Sequence, residues 1–184
     1  NEAYPDRARE DYVGLPIPTL EEVFQRYGNA PTVKYYIEIK PNTQLGGSVE
    51  QTLLDLIKAY GLYEGAINNR QVLVQSFIPS SLINMRALDA ELPLIQLYAV
   101  GATASVALAS TYAFGIGPNA AEVTPALVEL THALGLAIHP YTINSEADLA
   151  AMAALCVDGL FTNFPDRYRQ VLASSDYDCP PPIR

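Results

Sequence analysis

The sequence predicts an α/β fold in which parallel strands are wrapped by helices, as a (β/α)8 TIM barrel or as a doubly wound open sheet. Three observations lead there. Short apolar runs alternate with amphipathic segments along the chain, strand then helix, and continuous apolar strands belong to a parallel sheet covered on both faces. No Gly-x-Gly-x-x-Gly or P-loop pattern follows any apolar run, which counts against a nucleotide-binding open sheet. Polar residues gather at the C-terminal ends of the runs: Glu38 and Lys40, Gln75, Gln96, Tyr141 with Asn144, and Thr162 with Asn163. In a barrel that rim is the functional face.

The elements follow in order. Asn1 to Pro16 is polar and irregular. Thr19 with Glu22 three residues on forms a capping box that opens a helix over Leu20 to Tyr27, closed by Gly28. Val33 to Ile39 is the first strand, and Pro41 to Gly47 a polar loop. Ser48 with Gln51 opens a second helix, amphipathic through Leu53, Leu54, Leu56 and Ile57, ending at Gly61. Val72 to Phe77 is a strand, and Ser80 or Ser81 caps the helix that follows. Leu94 to Tyr98 is the third strand, Ala104 to Ser110 a short helix, and Tyr112 to Ile116 the fourth strand. Thr124-Pro125 starts a helix with proline at its first position, closed by Gly135. Leu136 to Thr142 is the fifth strand, Ser145 with Asp148 caps the next helix, Asp158 to Thr162 is the sixth strand, and a last helix runs from Pro165 to Leu172. Residues 1–175 then form one domain, and 176–184 a Pro-rich tail expected to be loosely held.

Bulk composition narrows the function classes. The 184 residues suffice for one domain with a real core, with 49% hydrophobic and only 17% charged residues. A net charge of −9 argues against a nucleic-acid partner, since phosphate backbones require a basic face. It leaves room for a small anionic substrate held by a local positive site or a metal. No apolar run reaches transmembrane length. No signal peptide is visible, but the chain opens at Asn1 in a polar run without methionine, so an export signal could precede it. The compartment stays open, with a secreted or periplasmic location slightly favoured over a cytoplasmic one. Cys156, in an apolar helix run, reads as a small core residue; the two cysteines show no metal-ligand spacing, and a disulfide to Cys179 is left open, without support from the sequence.

Tyr35-Tyr36-Ile37-Glu38-Ile39-Lys40-Pro41 is the most informative stretch. Alternation puts Glu38 and Lys40 on one face of a strand and Ile37 and Ile39 on the other. Two charges on a buried strand require a metal ion, a bound anion or each other. By the same parity Gln75 and Phe77 share a face, with Ser76 opposite.

Taken together, Ile17-Pro-Thr-Leu-Glu-Glu-Val23, Ile37-Glu-Ile-Lys40, Val74-Gln-Ser-Phe77, Tyr141-Thr-Ile-Asn144, Val157-Asp-Gly-Leu-Phe-Thr162 and Phe164-Pro-Asp166 resemble the glycerophosphodiester phosphodiesterases, in order and spacing, over roughly Ile17 to Tyr168. The resemblance implies a (β/α)8 barrel of the phospholipase C-like phosphodiesterase type. It implies hydrolysis of glycerophosphodiesters to glycerol 3-phosphate and an alcohol, with a divalent cation, Ca2+ or Mg2+. It places Glu38 as a metal ligand and Lys40 at the substrate phosphate as the catalytic cation. Gln75, Phe77 and Tyr141 become substrate-binding residues, Gln75 as hydrogen-bond partner and the two rings as walls.

The chain also departs from the family pattern. It has no His-Arg-Gly, no early Glu-x-Asp and no His-Asp motif, and six strands are expected where the family has eight. The absent pieces belong before Asn1, so the barrel is expected to be incomplete, lacking its first two strands. His132 and His139 match no catalytic position and read as structural. Exposed edges would invite self-association. Three readings follow: a phosphodiesterase portion inactive alone, a non-catalytic phosphate-binding barrel module, and an unrelated barrel enzyme such as a Schiff-base aldolase using Lys40. Glu38 two residues before Lys40, with the later motifs, disfavours the third.

Overall fold

The structure, a computed structural model, describes residues 9–28, 30, 32–40, 48–102, 105–174 and 176–181. The chain divides into two compact units, Asn1–Val33 and Lys34–Arg184. In the first, a short 3-10 turn Glu10–Tyr12 precedes helix α1, Leu20–Tyr27. The capping box is formed: Glu22 N donates to Thr19 Oγ1 at 3.2 Å, and Thr19 N to Glu22 Oε2 at 2.7 Å.

The second unit is a parallel sheet with helices. Its strands are β1 Tyr35–Glu38, β2 Val72–Ser76, β3 Leu94–Tyr98, β4 Gly115–Pro118 and β5 Ala137–Ile138. They lie in the order 1-2-3-4-5, every pair parallel. That order decides between the two expected architectures. A doubly wound sheet reverses its strand order at a switch point, whereas a barrel adds strands in sequence. Among the described residues the barrel does not close. β2 and β3 are buried at every position, as strands covered on both faces must be.

The helices are α2 Val49–Ala59, α3 Tyr63–Asn69, α4 Pro79–Leu88, α5 Val106–Ala109, α6 Pro125–Ala133, α7 Glu146–Ala154 and α8 Pro165–Ala173. α3 packs on β2, α4 on β2 and β3, and α6 on β5, while α7 and α8 pack together. The core includes the fully buried Ile57, Leu82, Met85, Leu94, Ile95, Ile116 and Ile138. No described helix is long and apolar enough to cross a membrane.

Several expectations need correction. Asp158 to Thr162 is not a sixth strand: it runs beside β5, with Asp158 N on Ile138 O at 3.1 Å and Phe161 N on Pro140 O at 2.9 Å, but forms no ladder. The reason lies in the donors that β5 and its extension could offer. Ile138 N donates to the Asp158 carboxylate at 2.9 Å instead, and Pro140 has no N–H. The fourth strand starts at Gly115, not Tyr112, because Tyr112 N closes a turn onto Ala109 O at 3.1 Å. A β-carbon on Gly115 would lie 2.6 Å from Ala137 O, so glycine permits the close pairing of β4 with β5. Helix α3 was not expected: Leu62 gives no side-chain cap at its start, and its exit residue is Arg70 at φ 54° rather than glycine. Helix α4 begins at Pro79, and Ser81 is buried with its hydroxyl on Glu50 Oε1 at 2.6 Å. The loop expected over Pro41 to Gly47, and Ala104 of the short helix, lie outside the described residues.

The tail is tied down. Cys156 and Cys179 form a disulfide, so Cys156 is not a free core residue. It sits just after α7 with φ 59°. Tyr177 packs against the cluster of Ile143, Leu149, Met152 and Val171.

Candidate functional site

Strand parity delivers the five expected residues to one place. Glu38 ends β1 and Gln75 is its register partner on β2. Ile39 is buried on the opposite face, and Ser76 there donates its hydroxyl to Ile39 O at 2.7 Å. Glu38, Lys40, Gln75, Phe77 and Tyr141 all line one cavity of about 220 Å3 at the C-terminal ends of the strands, with Phe161 beside them.

Lys40 Nζ donates to Glu38 Oε1 at 3.0 Å. The pair is not the buried one the sequence suggested. The Lys40 side chain is 74% exposed and that of Glu38 26%. An ion pair so open to water contributes about 0–1 kcal/mol, so mutual stabilisation is a poor reason for its presence. Gln75 is 7% exposed, yet its Oε1 is buried with no hydrogen-bond partner among the described residues. An unmet buried acceptor costs roughly 1–3 kcal/mol, a cost a ligand donor would relieve. Tyr141 donates its hydroxyl to Tyr98 O at 2.8 Å. Burial raises its phenol pKa, with the Glu38 charge adding to the rise. Phe77 meets Tyr141 edge to face, centroids 5.8 Å apart.

Other polar residues expected at the rim do structural work. Gln96 points to the helical layer, accepting the Tyr112 hydroxyl at 2.7 Å and donating to Leu97 O at 2.9 Å. Asn144 Oδ1 accepts from Asn163 N at 2.9 Å, and Ser145 caps α7 through Asp148 N at 3.1 Å. Thr162 Oγ1 accepts from Phe164 N at 3.0 Å. His132 Nε2 lies 2.9 Å from Asp158 Oδ2. His139 Nδ1 lies 2.8 Å from Tyr36 Oη, and burial pushes its pKa down to about 4. A second cavity, about 620 Å3, lies below these groups, with Tyr36, Arg70, His139 and Phe161 among its walls. It is the larger, but the paired charges and the orphaned amide oxygen are in the smaller one.

Residues 1–167 match the model of the glycerophosphoryl diester phosphodiesterase family. The chain belongs to that family. Among curated relatives it is 39% identical over 177 residues to the glycerophosphodiester phosphodiesterase of Bacillus subtilis strain 168, covering 93% of this chain and 59% of the relative. It is 30% identical over 158 residues to that of Caldanaerobacter subterraneus subsp. tengcongensis, covering 85% and 62%. The chain thus spans about three-fifths of the length of the curated relatives it matches. Solved structures share the fold. A glycerophosphodiester phosphodiesterase from Parabacteroides distasonis superposes with TM-score 0.74 at 17% identity, over 85% of this chain and 64% of that one. An Oleispira antarctica phosphodiesterase, solved in complex with the product sn-glycerol-3-phosphate, superposes with TM-score 0.73 at 18% identity, over 85% and 62%.

For this family member, sequence reasoning missed Phe161. In the sequence it is one residue of the Val157–Thr162 motif, yet it forms a wall of both cavities. Its position two residues before Asn163, on a segment ending at the rim, was the available signal.

Proposed function

We propose that these residues form the phosphate-facing part of a phosphoric diester hydrolase, which cleaves glycerophosphodiesters to glycerol 3-phosphate and an alcohol within the complete barrel. The observation that carries the proposal is the convergence of Glu38, Lys40, Gln75, Phe77 and Tyr141, from three separate strand ends, on one small cavity. Family membership and the names of the relatives support the reaction class. The glycerol-3-phosphate complex of the Oleispira antarctica enzyme supports the substrate class.

In this reading Lys40, open at the mouth of the cavity, meets the phosphate and stabilises the charge that builds on its oxygens in the transition state. Gln75 Oε1 accepts a hydrogen bond from a substrate hydroxyl, relieving its orphaned state. Phe77 and Tyr141 exclude water along one side. Glu38 is the residue we assign to a divalent ion, Ca2+ or Mg2+, because a hard cation takes oxygen donors. The described residues do not fit such an ion by themselves. Glu38 is the single carboxylate in the cavity and is engaged by Lys40. No group of three His, Cys, Asp or Glu that could hold a metal occurs among the described residues. No step is therefore assigned to the ion.

A second reading, a non-catalytic phosphate-binding barrel module, draws on the histidines. Neither His132 nor His139 lines the cavity that holds Glu38 and Lys40, so neither is placed there as the general acid or base that is worth about 10²–10⁴-fold. Release of glycerol 3-phosphate from glycerophosphocholine separates the two readings. The complete protein carrying this chain should release it and a chelator should stop it, while the 184 residues alone should be inactive. A complete protein that binds glycerol 3-phosphate but releases none would establish the module instead.

A further inference from the structure

We propose that Ser76 is a positioning residue: its hydroxyl ties the end of β1 to the end of β2 and so sets where Lys40 stands at the mouth of the site. This deepens the reading of the site given above and rests on it.

Strand parity turns Ser76 away from the cavity that its neighbours Gln75 and Phe77 line. It is fully buried, so its hydroxyl must be satisfied by the protein. The one oxygen makes two backbone bonds. It accepts from Ile78 N at 3.1 Å and donates to Ile39 O at 2.7 Å. A hydroxyl can do both at once, because it carries a donor and two lone pairs. These bonds fall where the ladder runs out. The register between β1 and β2 ends at Glu38 and Gln75. Beyond it, Ile39 is held by its N–H on Gln75 O at 2.8 Å and by the Ser76 hydroxyl on its carbonyl.

Ser76 is fixed in turn from the other side. Its carbonyl accepts from Gln96 Nε2 at 3.3 Å, and Gln96 is anchored by Leu97 O and the Tyr112 hydroxyl. A buried chain of hydrogen bonds thus runs from β3 through β2 to the end of β1.

Lys40 needs such an anchor. Its side chain is 74% exposed and its ammonium is met by Glu38, so packing does little to place the charge. Its backbone must do so, and Ile39 O belongs to the same rigid peptide unit as Lys40 N. The Ser76 hydroxyl therefore sets the plane from which Lys40 departs. Without it, Ile39 O and Ile78 N both lose a partner, and the strand ends shift to find others. A misplacement of about 1 Å in a site can cost about 10²-fold in rate.

The test follows glycerol 3-phosphate release from glycerophosphocholine by the complete protein. Ser76→Ala should lower kcat by about 10–10²-fold, with KM changed much less. In a Lys40→Met background there is no ammonium to place, so Ser76→Ala should cost far less there and the two losses should not multiply. A purely structural serine would give the same fractional loss in both backgrounds. If Ser76→Ala fails to fold, Ser76→Cys, whose thiol is a weaker donor, carries the comparison. Lys40→Met alone separates the two levels of the reading. If it leaves turnover unchanged, the site itself is misplaced. If it impairs turnover while the Ser76 variant keeps the wild-type kcat, or loses equally in both backgrounds, the site stands and the positioning role is overturned.

Discussion

Glu38 and Gln75 stand opposite each other across β1 and β2, and both enter the same cavity. One carries a charge shared with Lys40, the other an acceptor with no partner among the described residues. A buried amide oxygen left unmet in the wall of a cavity is a feature that a ligand donor would satisfy.

Replacing Gln75 with Leu should separate stability from binding. Loss of a buried orphan worth roughly 1–3 kcal/mol should leave the thermal midpoint of the complete protein unchanged or slightly higher, while KM for glycerophosphocholine rises. A fall in the midpoint with KM unaltered would make Gln75 a packing residue.

His139 makes stability depend on pH. Its folded pKa of about 4 lies below the ordinary 6.5, because burial disfavours the charged ring. The unfolded chain therefore binds the extra proton first as pH falls. The stabilisation is full above pH 6.5 and is lost progressively down to about pH 4, by roughly 3 kcal/mol in all. Denaturant unfolding at a series of pH values should show this slope, and His139→Gln should flatten it. An unchanged slope in the variant would assign it to other groups.

The disulfide should be a measurable part of the fold. Cys156 and Cys179 are 23 residues apart, and closing a loop of that size stabilises by about 3 kcal/mol in the chain-entropy account. Cys179→Ser should lower the unfolding free energy by about that amount and release Tyr177 from its cluster. An unchanged midpoint in reducing and oxidising buffer would show that the bond does not form in solution.

Strand β1 has one ladder partner among the described residues, β2. The 184-residue chain alone should therefore self-associate or unfold at low denaturant, because an open parallel edge invites another strand. Light scattering after size exclusion checks this; a monomer with a sharp, high-temperature transition would contradict it.

Much of this was legible in the sequence because it rests on local rules. The capping boxes at Thr19 and Ser48 and the period-2 alternation of Ile37-Glu38-Ile39-Lys40 need only neighbours a few residues apart. The same parity placed Gln75 with Phe77; that both face Glu38 depends on the register between β1 and β2. What stayed hidden depends on distant partners. The Asp158 side chain replaces a strand pairing at Ile138 N. Lys40 reaches into solvent although its strand is apolar. Gln96, rim-like in sequence, is claimed by Tyr112 from another element. Phe161 becomes a shared wall only when two cavities form on either side of it.

If the Glu38–Lys40 strand end is a phosphodiester site, Lys40→Met in the complete protein is the substitution that should disable it. Glycerol 3-phosphate release from glycerophosphocholine should fall on the order of 10²–10³-fold, as for loss of one charge-stabilising donor, with the fold intact by circular dichroism and metal affinity little changed. Release at the wild-type rate would make the strand end structural and contradict the account.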